Sequence, residues 1–323
     1  MNEEQRERLL VKLRRELGTT ILAALADESV LEIMLNPDGR LWIERFGTGK
    51  YQAGTMLASQ SESIVSTVAA MLGTTVSYDQ PRLEGELLLD GSRFTALAPP
   101  VVATMAFTIR RKAVRVFTLD DYLHAGIVND AQHAFLRCCI AQRRNILVAG
   151  GTGSGKTTLL NAVIHAISQL APSDRLVIIE DTGELQCAAA DFVTMRSTAG
   201  FSMNDCLKST LRFRPDRIIV GEVRGREAMA LLKSWNTGHE GGAGTVHANS
   251  ARLALHRLQS LVAEAPEAGN YTPAMIGALI AEAVHVVVYI GKDTAIGAGR
   301  RVREIIAIDG YDTATAQYQV RLH

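Results

Sequence analysis

The chain has 323 residues, 47% of them hydrophobic, and its 34 basic residues are matched by 34 acidic residues. This length favours two globular domains. A net charge of zero argues against nonspecific nucleic-acid binding, which depends on an excess of basic residues that contact phosphates. The apolar stretch 276–290 is interrupted by Glu282 and His285 and is shorter than the ~20 residues that span a bilayer. Because the charged amino terminus leads into no apolar segment either, we expect a soluble protein.

The amino-terminal part of the sequence predicts a small α+β domain, which we place at residues 1–116. Leucines at helical spacing predict an amphipathic helix over 3–17. The turn sequence Asn-Pro-Asp-Gly at 36–39 separates two apolar runs and predicts a hairpin over 31–46. The remaining predicted elements are a helix over 61–72 and strands over 86–97 and 105–110.

The rest of the chain predicts a second, larger domain. Residues 117–129 show weak periodicity and are interpreted as a linker, followed by the second domain over 130–323. Apolar runs alternate with helical patterns there, as is typical of a parallel-rich sheet covered by helices on both faces. The predicted strands are 145–149, 176–180, 217–220, 244–247, 284–290 and 302–308, and the predicted helices include 131–142, 157–168, 203–211 and 227–235.

Residues 150–157 read Gly-Gly-Thr-Gly-Ser-Gly-Lys-Thr and match the phosphate-binding pattern G-x-x-x-x-G-K-[S/T]. A predicted strand precedes the pattern and a predicted helix follows it, which is the required context. Glycines let the backbone fold around phosphate oxygens, and the N–H groups at the start of the helix face the anion. We expect Lys156 to reach the outer phosphates of ATP and Thr157 to bind Mg²⁺. The residues expected to contact the nucleotide are Gly151, Thr152, Gly153, Ser154, Gly155, Lys156, Thr157 and Thr158.

Two predicted strands lead into acidic residues. Glu180 and Asp181 end one strand, and Glu222 follows the next. Because the carboxyl ends of parallel strands line the ligand crevice, these carboxylates are expected near the phosphates. Glu180 and Glu222 would either act with Thr157 at the Mg²⁺ site or orient the attacking water. A solvated acid at a strand end is the alternative for any one of them, but two such acids after one phosphate loop favour a functional role.

The glycine-rich segment 237–250 contains His239 and His247. Such a segment can bring His247 close to the γ-phosphate or to a neighbouring subunit, although a lone histidine usually has a structural role. Zinc binding is disfavoured, because the two histidines lack further ligands at metal spacing.

Four segments together, in this order and spacing, resemble the secretion ATPases of type II secretion, type IV pili and type IV secretion. The phosphate loop resembles their Walker A motif, and residues 178–185 (Ile-Ile-Glu-Asp-Thr-Gly-Glu-Leu) resemble their Asp box. Residues 214–224 (Arg-Pro-Asp-Arg-Ile-Ile-Val-Gly-Glu-Val-Arg) resemble Walker B, and residues 244–250 (Gly-Thr-Val-His-Ala-Asn-Ser) resemble the His box. The resemblance covers about residues 100–310. Residues 32–39 are similar to the amino-terminal domain of the type IV secretion branch, and the lack of a tetracysteine module also favours the conjugation members. The resemblance to the secretion ATPases implies an α/β fold in which a RecA-like P-loop domain follows a smaller, PAS-like α+β domain.

The resemblance also implies roles for individual residues. Glu180 matches the glutamate proposed to polarise the attacking water, and Glu222 matches the Walker B glutamate near Mg²⁺. His247 matches a histidine that links nucleotide state to ring contacts. Arg110 and Arg111 match arginines of the amino-terminal domain that approach the phosphates, while an exposed basic strand end is the simpler interpretation of that pair.

A hexameric ATP-hydrolysing motor is the function that the resemblance implies. The chain would form a homohexameric ring at the cytoplasmic side of the inner membrane, held there by inner-membrane components of a type IV secretion or conjugation apparatus. It would power pilus assembly or the transfer of DNA or protein, without direct sequence-specific nucleic-acid binding. A DNA-stimulated translocating ATPase and a nucleotide-dependent scaffold with little turnover are the alternatives.

Overall fold

The computed structural model describes residues 3–45, 49–111, 116–198 and 200–323. The chain divides into two compact units, Met1–Val114 and Arg115–His323. Each unit has its own hydrophobic core. Among the described residues, no helix combines the length and apolar character needed to cross a membrane.

The first unit is an α+β unit with one antiparallel sheet. Its six described strands lie in the order β3-β2-β1-β6-β5-β4, so each end of the sheet is built from a hairpin-connected set of strands. The elements are α1 (Glu3–Ala26), β1 (Val30–Leu35), β2 (Arg40–Arg45), β3 (Gly49–Thr55), α2 (Ala58–Met71), β4 (Arg82–Glu86), β5 (Arg93–Leu97) and β6 (Ala106–Arg110).

The predicted hairpin forms around the Asn-Pro-Asp-Gly turn. Asn36 N–H donates to the Arg40 carbonyl at 3.0 Å, and Gly39 adopts a left-handed φ of 80° that favours glycine. Leu35 then pairs with Leu41 and Ile33 with Ile43, which places these apolar residues in the core. Phe46, the last residue of the predicted hairpin, lies outside the described residues.

Two elements of the first unit differ from the sequence prediction. The helix predicted over 3–17 continues as α1 to Ala26, with a break at Gly18, whose φ of 69° and ψ of 175° are not helical. Of the strands predicted over 86–97, β5 (Arg93–Leu97) forms as predicted, whereas the first lies earlier, at β4 (Arg82–Glu86). The Asp90 carboxylate accepts from Ser92 N–H and hydroxyl and fixes the turn between them.

The second unit is an α/β unit built on an eight-stranded mixed sheet. The order is β14-β13-β12-β7-β11-β10-β8-β9, with parallel pairing from β12 to β9 and antiparallel pairing of β12 with β13 and β13 with β14. The elements are α3 (Leu119–His124), α4 (Asp130–Ala141), β7 (Ile146–Gly150), α5 (Lys156–Leu170), β8 (Leu176–Glu180), β9 (Phe192–Arg196), α6 (Met203–Thr210), β10 (Arg217–Val223), α7 (Glu227–Trp235), β11 (Ala243–His247), α8 (Ala251–Ala263), α9 (Pro273–Ala283), β12 (Val286–Lys292), β13 (Arg300–Asp312) and β14 (Gln317–Leu322).

Both faces of this sheet are covered, as the continuous apolar strands require. In β7, Leu147 and Ala149 belong to the core beneath α6 to α9, whereas Ile146 and Val148 belong to the core beneath α3 to α5. All five residues of β7 are buried. The sheet is therefore a rigid platform with the phosphate loop at its carboxyl end.

The segment predicted as a linker, 117–129, contains α3 and packs into the second unit. Thr118 caps the helix by accepting from Asp121 N–H at 3.0 Å, and Leu119 and Tyr122 are both 2% exposed. The short helix escaped prediction because two buried side chains leave too little periodicity to distinguish it from a loop.

Candidate functional site

The phosphate loop closes tightly between β7 and α5. Gly153 and Gly155 adopt φ angles of 69° and 98°, a left-handed conformation that favours glycine. A methyl group on Gly150 would lie 2.3 Å from Ser154 Oγ and 2.5 Å from the Ile290 carbonyl oxygen, so no side chain fits there. The loop delivers the chain directly into the first turn of α5, whose N–H groups have no helical acceptors and attract anions.

The polar side chains of this loop form a group that can bind an anion. Ser154 is 2% exposed, and its hydroxyl has no hydrogen-bond partner. Lys156 Nζ donates to the Gly151 carbonyl at 3.0 Å, across the loop, and Thr157 and Thr158 are half-buried in the first turn of α5. An orphaned buried hydroxyl beside a lysine and a helix amino terminus is the chemistry that phosphate binding requires.

The sheet order brings the sequence-predicted residues to one edge. His247 pairs in register with Gly150 across the β11–β7 ladder, so it is the strand residue beside the start of the loop. Glu222 lies at the end of β10, one strand further, and Glu180 ends β8, the next strand. At a spacing of about 4.8 Å per strand, the three side chains occupy a row extending from the phosphate loop.

Glu180 is the most enclosed of these groups. Its side chain is 2% exposed, and its Oε2 accepts from Leu185 N–H at 3.0 Å. The buried Asn161 of α5 holds the same loop from the other side, donating to the Glu184 carbonyl at 3.1 Å and accepting from Gln186 N–H at 2.9 Å. The acidic loop after β8 is thus fixed to the helix that carries Lys156.

Glu222 is positioned by an arginine. Arg224 donates to Glu222 Oε2 from Nε at 2.8 Å and from Nη2 at 2.6 Å, and its Nη1 donates to Asp181. The turn that carries Arg224 is fixed by Glu227, whose Oε1 accepts from the backbone N–H groups of Arg224 at 2.7 Å and Gly225 at 2.8 Å. One guanidinium therefore links the acids that follow two different strands.

Arg224 has no role among the residues predicted from the sequence. A usable signal existed, because residues two apart on an extended segment point the same way, and Arg224 follows Glu222 by two. Its contact with Asp181 joins segments 43 residues apart and had no local signal.

The remaining predicted residues are His239, in the second unit, and Arg110 and Arg111, in the first unit. His239 contacts the Pro215 carbonyl through Nδ1 at 2.9 Å, at the amino ends of the strands. Arg110 is exposed at the end of β6 in the first unit. Arg111 donates to the Asp27 carbonyl through its guanidinium and to the Leu31 carbonyl through its N–H at 3.0 Å, so it has a structural contact within that unit.

Comparison with known proteins reveals extensive similarity. A family model described as "Type II/IV secretion system protein" matches residues 16–290. The chain is 49% identical over 313 residues to the probable conjugal transfer protein TrbB of Sinorhizobium fredii, covering 97% of this chain and 93% of that protein. It is 32% identical to the type IV secretion system protein PtlH homolog of Bordetella bronchiseptica, covering 88% of this chain and 92% of that protein.

Solved structures share the same architecture. The VirB11 ATPase of the Brucella suis type IV secretion system, in complex with sulphate, superposes with a TM-score of 0.51 at 26% identity, covering 91% of this chain and 97% of that chain. The pilus retraction motor PilT with bound ADP gives a TM-score of 0.60 at 19% identity, covering 84% and 76%. The second likeness concerns the fold alone.

Proposed function

The chain belongs to the type II/IV secretion system protein family, in its type IV secretion and conjugation branch, and on that premise we propose that it hydrolyses ATP to drive a conjugative transfer or type IV secretion machine. The observation that carries this proposal is the edge of the second unit's sheet, where one phosphate loop is followed across neighbouring strands by His247, Glu222 and Glu180. The order of these groups matches the requirements of phosphoryl transfer, namely an anion cradle next to carboxylates that position water.

The loop residues fit the phosphates of ATP. Gly151, Thr152, Gly153, Ser154, Gly155, Lys156, Thr157 and Thr158 would form the cradle. Ser154 offers an unsatisfied buried hydroxyl, and Lys156 already reaches across the loop to a carbonyl oxygen. A nucleotide phosphate would give the lysine an anionic partner, which makes a stronger, charge-assisted hydrogen bond.

Mg²⁺ would bind through Thr157 and the nucleotide. Among the residues the structure describes, no three His, Cys, Asp or Glu side chains converge to hold an ion. Mg²⁺ typically retains water and takes ligands from one or two protein groups and from substrate phosphates. Glu222 and Glu180 would act on the water molecules around the ion and on the attacking water.

The roles of the two glutamates follow from their surroundings. Glu222 has 23% of its side chain exposed and is oriented by Arg224, so it can contact water held near the loop. Glu180 is buried and bonded to Leu185 N–H, which fixes one carboxylate oxygen. We propose that both glutamates orient the attacking water, and that His247, beside Gly150, passes the state of the nucleotide to neighbouring groups.

We propose that the first unit is a PAS-like domain and that one of its arginines takes part in hydrolysis. A six-stranded antiparallel sheet with two helices supports the former. Arg110 is the better candidate of the two arginines, because it is exposed at the end of β6, whereas Arg111 is half-buried. Arg110→Ala is expected to lower turnover by up to ~10³–10⁵ without unfolding the chain, and undiminished phosphate release would contradict the role.

Assembly into a homohexameric ring is also proposed. Relatives are described as conjugal transfer and type IV secretion proteins, so the partners would be inner-membrane components of such a machine, at its cytoplasmic face. The ring would convert ATP hydrolysis into pilus assembly or into the transfer of DNA or protein.

Phosphate release from Mg-ATP, measured against protein concentration, tests the proposal. Lys156→Ala should abolish release, and Lys208→Ala, an exposed lysine of α6, is the matched control and should behave as wild type. Specific activity that rises with concentration supports a site completed by assembly. Absence of Lys156-dependent release would contradict an ATPase and favour a scaffold, and stimulation by DNA that falls steeply with salt would favour a DNA-translocating enzyme.

A further inference from the structure

The β12–β13 hairpin lies against the side of the phosphate loop opposite to His247. β12 pairs in parallel with β7, the strand that leads into the loop, while β11 occupies the other side of β7. The hairpin extends past this pairing, and Lys292, at the end of β12, is in register with Arg300, the first residue of β13. Two cationic side chains are therefore placed together at the mouth of the hairpin.

Both cations reach the glycines of the loop. A methyl group on Gly155 would lie 2.5 Å from Arg300 Nη1 and 3.1 Å from Arg300 Cδ. A methyl group on Gly153 would lie 3.8 Å from Lys292 Nζ. The guanidinium thus packs on the residue that immediately precedes α5, and the ammonium lies near the tip of the loop.

An acidic residue of the hairpin is paired with neighbouring arginines. Asp293 is the acid at the hairpin mouth, and it is engaged by Arg301 at 3.4 Å and Arg303 at 3.6 Å. Arg303 also donates to the Lys292 carbonyl at 2.9 Å, which fixes the end of β12. The salt bridges hold the hairpin in shape through Arg301 and Arg303, while Lys292 and Arg300 face the loop.

We propose that Lys292 and Arg300 bind the phosphates of the nucleotide held in the loop, as a second cationic wall beside Lys156. The loop backbone cradles the inner phosphates of a nucleotide, and Gly153 and Gly155 belong to that backbone. The ligand class is a nucleoside diphosphate or triphosphate, so ADP and ATP should both depend on these two residues. This inference rests on the proposed nucleotide site and adds contacts from outside the phosphate-loop sequence.

Titration of the full-length chain with a fluorescent ADP in the presence of Mg²⁺ tests the proposal. Arg300→Gln and Lys292→Gln remove charge but keep much of the aliphatic stem that packs on the loop. We expect Arg300→Gln to raise the Kd about tenfold, equivalent to about 1.4 kcal/mol. Lys292→Gln should have a smaller effect because its side chain is exposed. Arg300→Lys should recover part of the loss, since it restores the charge.

Arg301→Gln is the matched control, because Arg301 is the next residue of the hairpin and pairs with Asp293. Thermal melting of every variant reports whether the fold is retained. Unchanged Kd values for Arg300→Gln and Lys292→Gln, with binding still lost in Lys156→Ala, would overturn this inference alone. An equal loss in Arg301→Gln would also overturn it, as general electrostatics. Wild-type binding no tighter than that of Lys156→Ala would instead overturn the nucleotide site.

Discussion

The amino and carboxyl ends of the parallel strands in the second unit differ in how their polar side chains are hydrogen-bonded. At the amino end, Asn145 is fully buried and every polar atom of its side chain is used, and Arg217 is 1% exposed and paired. At the carboxyl end, Ser154 is buried with an unused hydroxyl, and Glu222 is partly exposed beside Arg224. The buried polar groups at the amino end are hydrogen-bonded within the protein, whereas the carboxyl end holds the polar groups of the proposed nucleotide site.

At the amino end, the buried side chains of Asn145 and Arg217 are hydrogen-bonded to several partners. Asn145 Nδ2 donates to the Ala283 carbonyl at 2.7 Å, and Asn145 Oδ1 accepts from Gly241 and Gly242 N–H at 2.7 and 2.9 Å. Arg217 donates to Asp174 at 2.6 Å and to the Ile140 carbonyl at 3.1 Å. Because unpaired buried polar groups are costly, substitutions at this end should act on stability, and those at the carboxyl end on turnover.

The largest effect on stability is expected for Asp174→Ala. The change would leave the buried guanidinium of Arg217 without its counter-ion and should lower the free energy of unfolding by about 3–5 kcal/mol. Urea denaturation measures it. Asp191→Ala breaks the more exposed pair with Arg175 and is the control, with an expected loss of about 0–1 kcal/mol. Similar losses for the two variants would contradict the special cost of unpairing a buried guanidinium.

Asn145→Ala should destabilise the second unit by roughly 2–3 kcal/mol, since it leaves buried backbone groups of Gly241, Gly242 and Ala283 unpaired. The same denaturation experiment applies. Asn236→Ala, which removes an exposed contact to Glu282, is the control and should change stability by less than about 0.5 kcal/mol. A wild-type midpoint for Asn145→Ala would show that the amino-end network is dispensable.

The amino end should also make stability depend on pH. Asn145 N–H donates to His285 Nδ1 at 2.9 Å, which requires a neutral ring. Burial, and next Arg144, lower the pKa of His285 from its ordinary value of 6.5, and Glu240 acts in the opposite direction. As pH falls below 6.5, the unfolded chain takes up the proton first, so the free energy of unfolding should fall.

His285→Asn supplies an uncharged acceptor and isolates this contribution. We expect urea denaturation between pH 7.5 and 5.5 to show a steeper loss for wild type than for the variant. Parallel curves for the two proteins would mean that the histidine does not couple to folding in this range.

The smallest effect on stability is expected at the carboxyl end. Arg224→Gln breaks partly exposed ion pairs and should change the free energy of unfolding by less than about 1 kcal/mol. Turnover should nevertheless fall by ~10²-fold, because a misplaced Glu222 no longer orients water. Phosphate release and urea denaturation on the same preparation decide between this pattern and its reverse, in which stability falls and turnover persists.

Much of the carboxyl end of the second unit's sheet was predictable from sequence, because its residues lie in short contiguous patterns. The phosphate loop, the strand ending in Glu180 and the helix Glu227–Trp235 all form where the sequence indicates. The family is confirmed by the matching family model and relatives. Apolar runs bounded by glycines carry enough local information to place such strands and loops.

The rest depended on contacts between distant segments. Arg300 lies 145 residues after Gly155, and no local pattern connects them. The edge strand β9 has alternating exposed and half-buried residues and no apolar run, so its pattern resembles that of a loop. β13 was predicted as a strand over 302–308, but β14 was not predicted. The antiparallel direction of both strands was also missed, since strand direction depends on sheet topology and not on composition.

Glu222→Gln tests the division between the two ends most directly, with phosphate release and the free energy of unfolding measured on the same protein beside Asp174→Ala. We expect Glu222→Gln to lower release by about 10²-fold or more and to change stability by less than about 1 kcal/mol. Asp174→Ala should lower stability by several times that amount. Full turnover in Glu222→Gln, or a loss of stability as large as that of Asp174→Ala, would contradict the assignment of hydrolysis to the carboxyl end of the sheet.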